Sequence, residues 1–356
     1  MSEPNIPAQS AAKSGVDGTD TVNAEVVNAE VKADQNDGNA ASPANNGSAV
    51  DSKAFTGTNV TETVRRAGAE FAGSFFVCFA LFAASTYGTV LYGANAVFVA
   101  VVAALAYGTA TAVFARFSGG HFNPAVTLAA ALTSRIGWID ALAYLVAQLL
   151  GGIVAGALLT AILPTSENVE VKVWLASAVN GFGEGSPSNS MLSQAGVSFS
   201  MTMAIVMEVA MGLLVVAAAM STLNKDGSAT DHHAAVTGMA YGVASAITFP
   251  ITGAGLNPVR STGIALFAQG KGLTVEPLQQ LWVFWVCPLL AGAVVALVML
   301  LSDTMRQKAE SVDADGNGTT AEAIRTEQEE TYVDADFENS NGTNGESAPE
   351  GTTVKD

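Results

Sequence analysis

SGGHFNPAVTLAAAL (residues 118–132) and GAGLNPVRSTGIALF (253–267) hold the key to this chain. Each has a Gly-rich approach, then Asn-Pro, then an apolar run of ten or so residues. Such a run is too short to cross a bilayer, which takes roughly 20 residues of helix. Asn is a strong N-cap, and Pro fits the first helical turn, where no N–H has to be satisfied. Asn123-Pro124-Ala125 and Asn257-Pro258-Val259 therefore read as helix starts. The segments before them, FSGGHF and ITGAGL, read as irregular backbone. At membrane depth, irregular backbone is tolerated only where it is buried in protein or lines a water-filled path.

Long apolar spans surround these two pieces, at about 64–85, 96–116, 138–163, 198–222, 234–252 and 278–301. Each has the length and composition of a transmembrane helix. A water-soluble helical bundle needs polar faces that these spans lack. They are dense in Gly and Ala, as in GGIVAGALL and LLAGAVVA, and small residues let membrane helices approach closely.

The two short pieces sit inside an internal repeat. AYGTATAVFARFSGGHFNPAVT (106–127) answers AYGVASAITFPITGAGLNPVRS (240–261). Tyr107-Gly108 and Tyr241-Gly242 each precede their Asn by sixteen positions. Upstream, EFAGSFFVCFA at Glu70 answers EVAMGLLVVAA at Glu208. Downstream, AQLLGGIVAG answers CPLLAGAVVA. The halves are about 61–163 and 198–302, joined by a loop containing GFGEGSPSNS. Each half has three full spans, an odd number, so the second enters from the opposite side and the repeat is inverted. The half-helix N-termini then converge near the midplane, with both positive dipole ends at one spot. Asn123 and Asn257 are expected to offer amide donors there to a passing water or hydroxyl, while cations and relayed protons meet positive potential.

Charge is partitioned sharply. The net charge is −17, yet residues 61–302 hold ten acidic and eight basic side chains. Residues 1–60 hold eight acidic and three basic, and 303–356 hold fourteen and four. Both flanks are poor in large apolar residues and read as disordered acidic tails. Acidic tails repel phosphate, which argues against nucleic acid as a partner. The N-terminus lacks the basic and apolar pattern of a cleavable signal, so the first span is expected to direct insertion. Arg65, Arg66, Arg116, Arg135, Lys225, Arg306 and Lys308 fall at one set of ends, Lys172 and Lys271 at the other. The positive-inside rule then puts both termini in the cytoplasm of a multi-pass cell-membrane protein. The sequons in the tails carry no glycan in that orientation.

These motifs resemble the aquaporin and glycerol-facilitator family, the major intrinsic proteins, over about residues 62–302. SGGHFNPAVT, GLNPVRS, AEFAGS (69–74), AQLLGG (147–152) and WVFWVCP (282–288) carry the resemblance. It implies an all-α membrane fold of six transmembrane helices plus two re-entrant half-helices, and a homotetramer with one pore per subunit. Val259 departs from the usual Ala, but the Asn, the Pro and the helix start remain.

The resemblance also assigns a constriction to Ala103, Ser245, Ala254 and Arg260. Water-selective relatives generally place Phe and His at the first two of these, and glycerol facilitators place aromatics at the first and third. Without that bulk the opening is expected to be wide and weakly polar, passing glycerol as well as water. Ser261 matches the water-channel version instead. If its helix carries a bulge, Tyr107, one turn from Ala103, narrows the pore. Arg260 is expected to donate to the permeant and repel cations, since an Arg at this depth is a functional-site candidate.

The intramembrane acids Glu70 and Glu208 are read as structural acceptors for the segments before the half-helices, in preference to a proton relay. His121 is expected to pack beside its loop, and His232 and His233 to be a solvated loop pair. Cys78 and Cys287 lie in apolar runs and suggest neither a disulfide nor a metal site. DADGNGTTAEAI (313–324) resembles the start of a calcium loop, but Ile324 stands where the bidentate Glu belongs. No nucleophile–base pair, phosphate loop or cofactor motif is evident, so an enzyme is not expected. The sequence points to a passive channel for water and small neutral solutes such as glycerol. A water-selective pore is the alternative, followed by a coupled secondary transporter, which would need ionisable groups at the half-helix tips.

Overall fold

Six helices among the described residues are long and apolar enough to cross a membrane. They are α1 (Val60–Tyr92), α2 (Ala96–Ser118), α4 (Trp138–Ile162), α5 (Met201–Ser221), α6 (His233–Thr252) and α8 (Pro277–Ala309). Two half-length helices complete the set: α3 (Pro124–Leu132) and α7 (Pro258–Ala268). The computed structural model describes residues 60–93, 96–309 and 311, all within the compact unit Asp51–Asp356. The expected acidic tails lie outside the described residues, except that α8 continues through Ala309.

The half-helices start where Asn-Pro places them. Asn123 has extended backbone and its Oδ1 accepts from Ala125 N at 2.9 Å; Asn257 does the same for Val259 N, also at 2.9 Å. One orphan donor at each helix start is thereby satisfied. At the far end of α5, Arg135 Nη1 donates to the carbonyls of Met220 and Leu223 at 2.5 and 2.6 Å. Met220 belongs to the last turn of α5, whose carbonyls have no partner within the helix, and Leu223 follows just beyond its C-cap.

Glycines set the closest approaches. A Cβ on Gly238 would stand 2.6 Å from Ala104 O and 3.0 Å from Gly108 Cα, so α2 and α6 cross nearly backbone to backbone. A Cβ on Gly156 would meet Gly263 O at 2.1 Å, which seats α7 against α4. Three buried apolar clusters result. One surrounds α3, with Ala125, Ala129, Tyr144, Val216 and Met220. One surrounds α7, with Cys78, Phe82, Leu159, Val259 and Ile264. The third lies between them and holds Ala103, Tyr107, Phe122, Tyr241, Ala254 and Leu256. Both cysteines are free and buried. The outward faces carry Phe76, Leu105, Trp138 and Leu158, all exposed. Apolar exposure on this scale suits contact with hydrocarbon or with another subunit.

Candidate permeation pathway

The two half-helices meet at their N-termini through reciprocal bonds. Asn123 Nδ2 donates to Leu256 O at 3.0 Å, and Asn257 Nδ2 donates to Phe122 O at 2.8 Å. Each Asn thus ties its own half-helix to the residue that precedes the other Asn. Both side chains are fully buried.

The approach segments are bent into unusual conformations. Phe122 and Leu256, each next to its Asn, have φ of 46° and 51°, and Ala254 has φ of 56°. Non-glycine residues adopt such left-handed backbone at a cost and need support from their surroundings. Two buried carboxylates supply it. Glu70 accepts from Phe122 N at 2.7 Å, His121 N at 2.9 Å, Ser118 Oγ at 2.6 Å and Gln148 Nε2 at 2.7 Å. Glu208 accepts from Leu256 N at 2.7 Å, Gly255 N at 2.9 Å and Thr252 Oγ1 at 2.5 Å. Every donor here is a neutral N–H or O–H, and each carboxylate serves one repeat.

Each asparagine amide has a second partner. Asn123 Nδ2 donates to Tyr241 Oη at 2.8 Å, and Asn257 Nδ2 to Tyr107 Oη at 2.9 Å. Sequence reasoning had these amides free for a permeant; in the structure both protons of each are engaged. The reason is the α2–α6 crossing. It brings Tyr107 and Tyr241 face to face, with ring centroids 3.2 Å apart and planes 2° from parallel. Tyr107 needs no bulge to reach this place, because α2 is regular from Ala96 to Ser118. Tyr241 was visible in the sequence only as a landmark of the repeat. Its recurrence sixteen residues before an Asn was the available signal.

Ala103, Ser245, Ala254 and Arg260 are all buried. Ala103 and Ala254 pack in the same cluster as the two tyrosines. The Arg260 guanidinium donates from Nη1 to Asn180 Oδ1. Asn180 is fixed in turn by donating from Nδ2 to Thr252 O at 3.1 Å. Asn180 lies in the loop between the repeats, and nothing in its local sequence marked it.

On the faces that carry the tyrosines, Thr111 lies one turn after Tyr107 and Thr237 one turn before Tyr241. The hydroxyls of both, with Nε2 of His121, are buried without a hydrogen-bond partner among the described residues. His121 packs edge-on against Tyr144, and its Nδ1 is 3.2 Å from Thr127 Oγ1. The expected solvated histidine pair is not one. His232 is exposed, whereas His233 is buried, because it opens α6 and turns in against the end of α5, with Nδ1 2.7 Å from Thr222 Oγ1.

Val259 fits where Ala is usual because its neighbour is a glycine. A Cβ on Gly152 would lie 2.5 Å from Val259 Cγ1. The matching contact in the other repeat sets Gly292 against Ala125 O, at 2.5 Å from a Cβ built there.

The family profile described as Major intrinsic protein matches residues 58–299. The chain belongs to the major intrinsic protein family. It is therefore a multi-pass membrane channel for water and small solutes, and not an enzyme. Among curated members it is 32% identical over 236 residues to Aquaporin Z of Photorhabdus laumondii, covering 65% of this chain and 94% of that one. It is 31% identical over 245 residues to Aquaporin Z of Brucella melitensis, covering 66% and 96%. Among solved structures it is similar to the aquaglyceroporin from Plasmodium falciparum, with TM-score 0.47, 18% identity, and coverage of 66% of this chain and 93% of that one.

Proposed function

We propose that this member of the family is a passive conduit for water and small neutral solutes, with its path running past Arg260 and between the tips of α3 and α7. The observation that carries the reading is the reciprocal tie of Asn123 and Asn257. It holds two helix N-termini against one point, and that point repels cations and relayed protons. Ala103, Ser245 and Ala254 are too small to sieve, so the Arg260 end admits solutes of glycerol size. Neutral amides at the half-helix tips give nothing for a proton or sodium ion to couple to, which disfavours a secondary transporter. In this reading the chain forms homotetramers in the cell membrane, with one pore per subunit and both termini cytoplasmic.

The test is light scattering from proteoliposomes under osmotic gradients of sucrose and of glycerol. Water flux above that of empty vesicles, linear with the gradient and indifferent to proton and sodium gradients, is expected. Flux that follows either ion gradient would replace the channel by a transporter. The stacked tyrosines favour the water-selective alternative, which predicts water flux with glycerol retained outside.

A further inference from the structure

Tyr107 and Tyr241 lie outside the four-residue constriction read from the sequence, yet they face each other where the two repeats meet through α2 and α6. Their rings lie 3.2 Å apart and parallel. Nothing fits between rings at that distance, since a permeant there needs about 7 Å, two van der Waals contacts of ~3.5 Å each. Their hydroxyls take the second amide proton of Asn257 and of Asn123. The first proton of each amide is already committed to Phe122 O or Leu256 O. A planar amide has only two protons to give. A water or hydroxyl arriving at the asparagines therefore meets no free amide proton until a phenol gives one up.

We propose that Tyr107 and Tyr241 are the specificity-determining residues of this pore, and that the ring pair, not the Ala103–Ser245–Ala254–Arg260 ring, sets what passes. The proposal rests on the channel reading above. Rings and hydroxyls act together. The stack closes the path, and the phenol–amide bonds keep it closed, because parting the rings exposes four polar groups at once. Water can take over those bonds as the rings part. A three-carbon polyol must replace the same bonds and also needs the full width, so it is held back at the tyrosines after clearing the wide Arg260 end. Ala103 and Ala254 are packed in the same buried cluster as the tyrosines, and each has only a methyl group to oppose a phenol that swings toward it. Their small size then serves ring movement as well as solute entry.

The test compares the wild type with Tyr107→Val/Tyr241→Val and with Tyr107→Phe/Tyr241→Phe. Each is reconstituted as full-length protein after size-exclusion and circular-dichroism checks, with water and glycerol flux per protein as the readouts. The Val pair removes rings and hydroxyls, and is expected to raise glycerol flux about tenfold or more over the wild type, with water flux rising too. The Phe pair keeps the rings but loses the phenol–amide bonds that hold them closed, so glycerol flux should fall between those of the wild type and the Val pair. Wild-type glycerol flux equal to that of the Val pair would overturn the proposal, as would a Phe pair that passes glycerol like the Val pair. A folded Val pair that conducts neither solute would instead overturn the channel reading, and the tyrosine assignment with it.

Discussion

Glu70 accepts the backbone proton of Phe122 at 2.7 Å, and Phe122 is held at φ 46° immediately before Asn123. Glu208 and Leu256, at φ 51°, repeat the arrangement before Asn257. A carboxylate suits the task because both oxygens only accept. Glu70→Gln turns one acceptor into a donor, so it can no longer receive from Phe122, His121, Ser118 and Gln148 together. Leaving one or two buried donors without partners costs about 2–4 kcal/mol. The expected outcome is a clearly lower unfolding temperature in detergent and loss of water flux, and Glu208→Gln should behave alike. If Glu70 instead relayed protons, Glu70→Gln would keep full stability and water flux and alter only proton leak.

Val259 and Gly152 form a matched pair, and substitution should reveal their coupling. Gly152→Ala places a methyl 2.5 Å from Val259 Cγ1 and 2.9 Å from Val259 O. Overpacking of this kind costs about 1–3 kcal/mol or more. Val259→Ala removes the first clash and leaves the second, so the double variant should regain part of the loss, with a coupling of about 1 kcal/mol. A thermal-unfolding double-mutant cycle measures it. Strict additivity would mean that α4 and α7 adjust independently.

Arg260 is oriented by Asn180, and charge and placement can be separated. Arg260→Ala removes the guanidinium, and is expected to admit cation current in planar bilayers and to raise glycerol entry. Asn180→Ala keeps the charge and removes an acceptor. A hydrogen bond to a charged group contributes about 1.5–3 kcal/mol, so this variant should lose stability and still exclude cations. Cation current in Asn180→Ala comparable to that in Arg260→Ala would show that placement, more than charge, performs the exclusion.

What the sequence revealed, and what it did not, follows from the range of the forces involved. The half-helices were legible because N-capping is local: Asn-Pro specifies a helix start within three residues, and both starts are where the motif puts them. The six spans were legible from apolar length alone. Asn180 was not, because its partner Arg260 is 80 positions away along the chain. His233 was misread because a neighbouring exposed His232 gives no hint of which ring turns inward. The tyrosine stack was hidden differently. Both residues were conspicuous, but only the approach of α2 and α6 at Gly108, Gly238 and Gly242 determines that their rings touch.

That crossing yields a prediction about the stack itself. Gly238→Ala sets a methyl 2.6 Å from Ala104 O, and the helices must separate by several tenths of an ångström to admit it. The methyl lies close to one turn from Tyr241 along α6, so the strain is released beside the ring pair. Gly242→Ala comes closest to Ala104 Cβ, at 2.9 Å, with the nearest backbone oxygen, Ala100 O, at 3.5 Å, and is the milder wedge. Both should lower the unfolding temperature, Gly238→Ala by about 1–3 kcal/mol of stability, with the smaller loss in Gly242→Ala. A wider crossing loosens the stack, so water flux per folded channel should rise in the same order. Unfolding curves paired with stopped-flow permeability read both effects. A loss of stability with unchanged flux would show that the ring pair keeps its closure independently of the crossing that creates it.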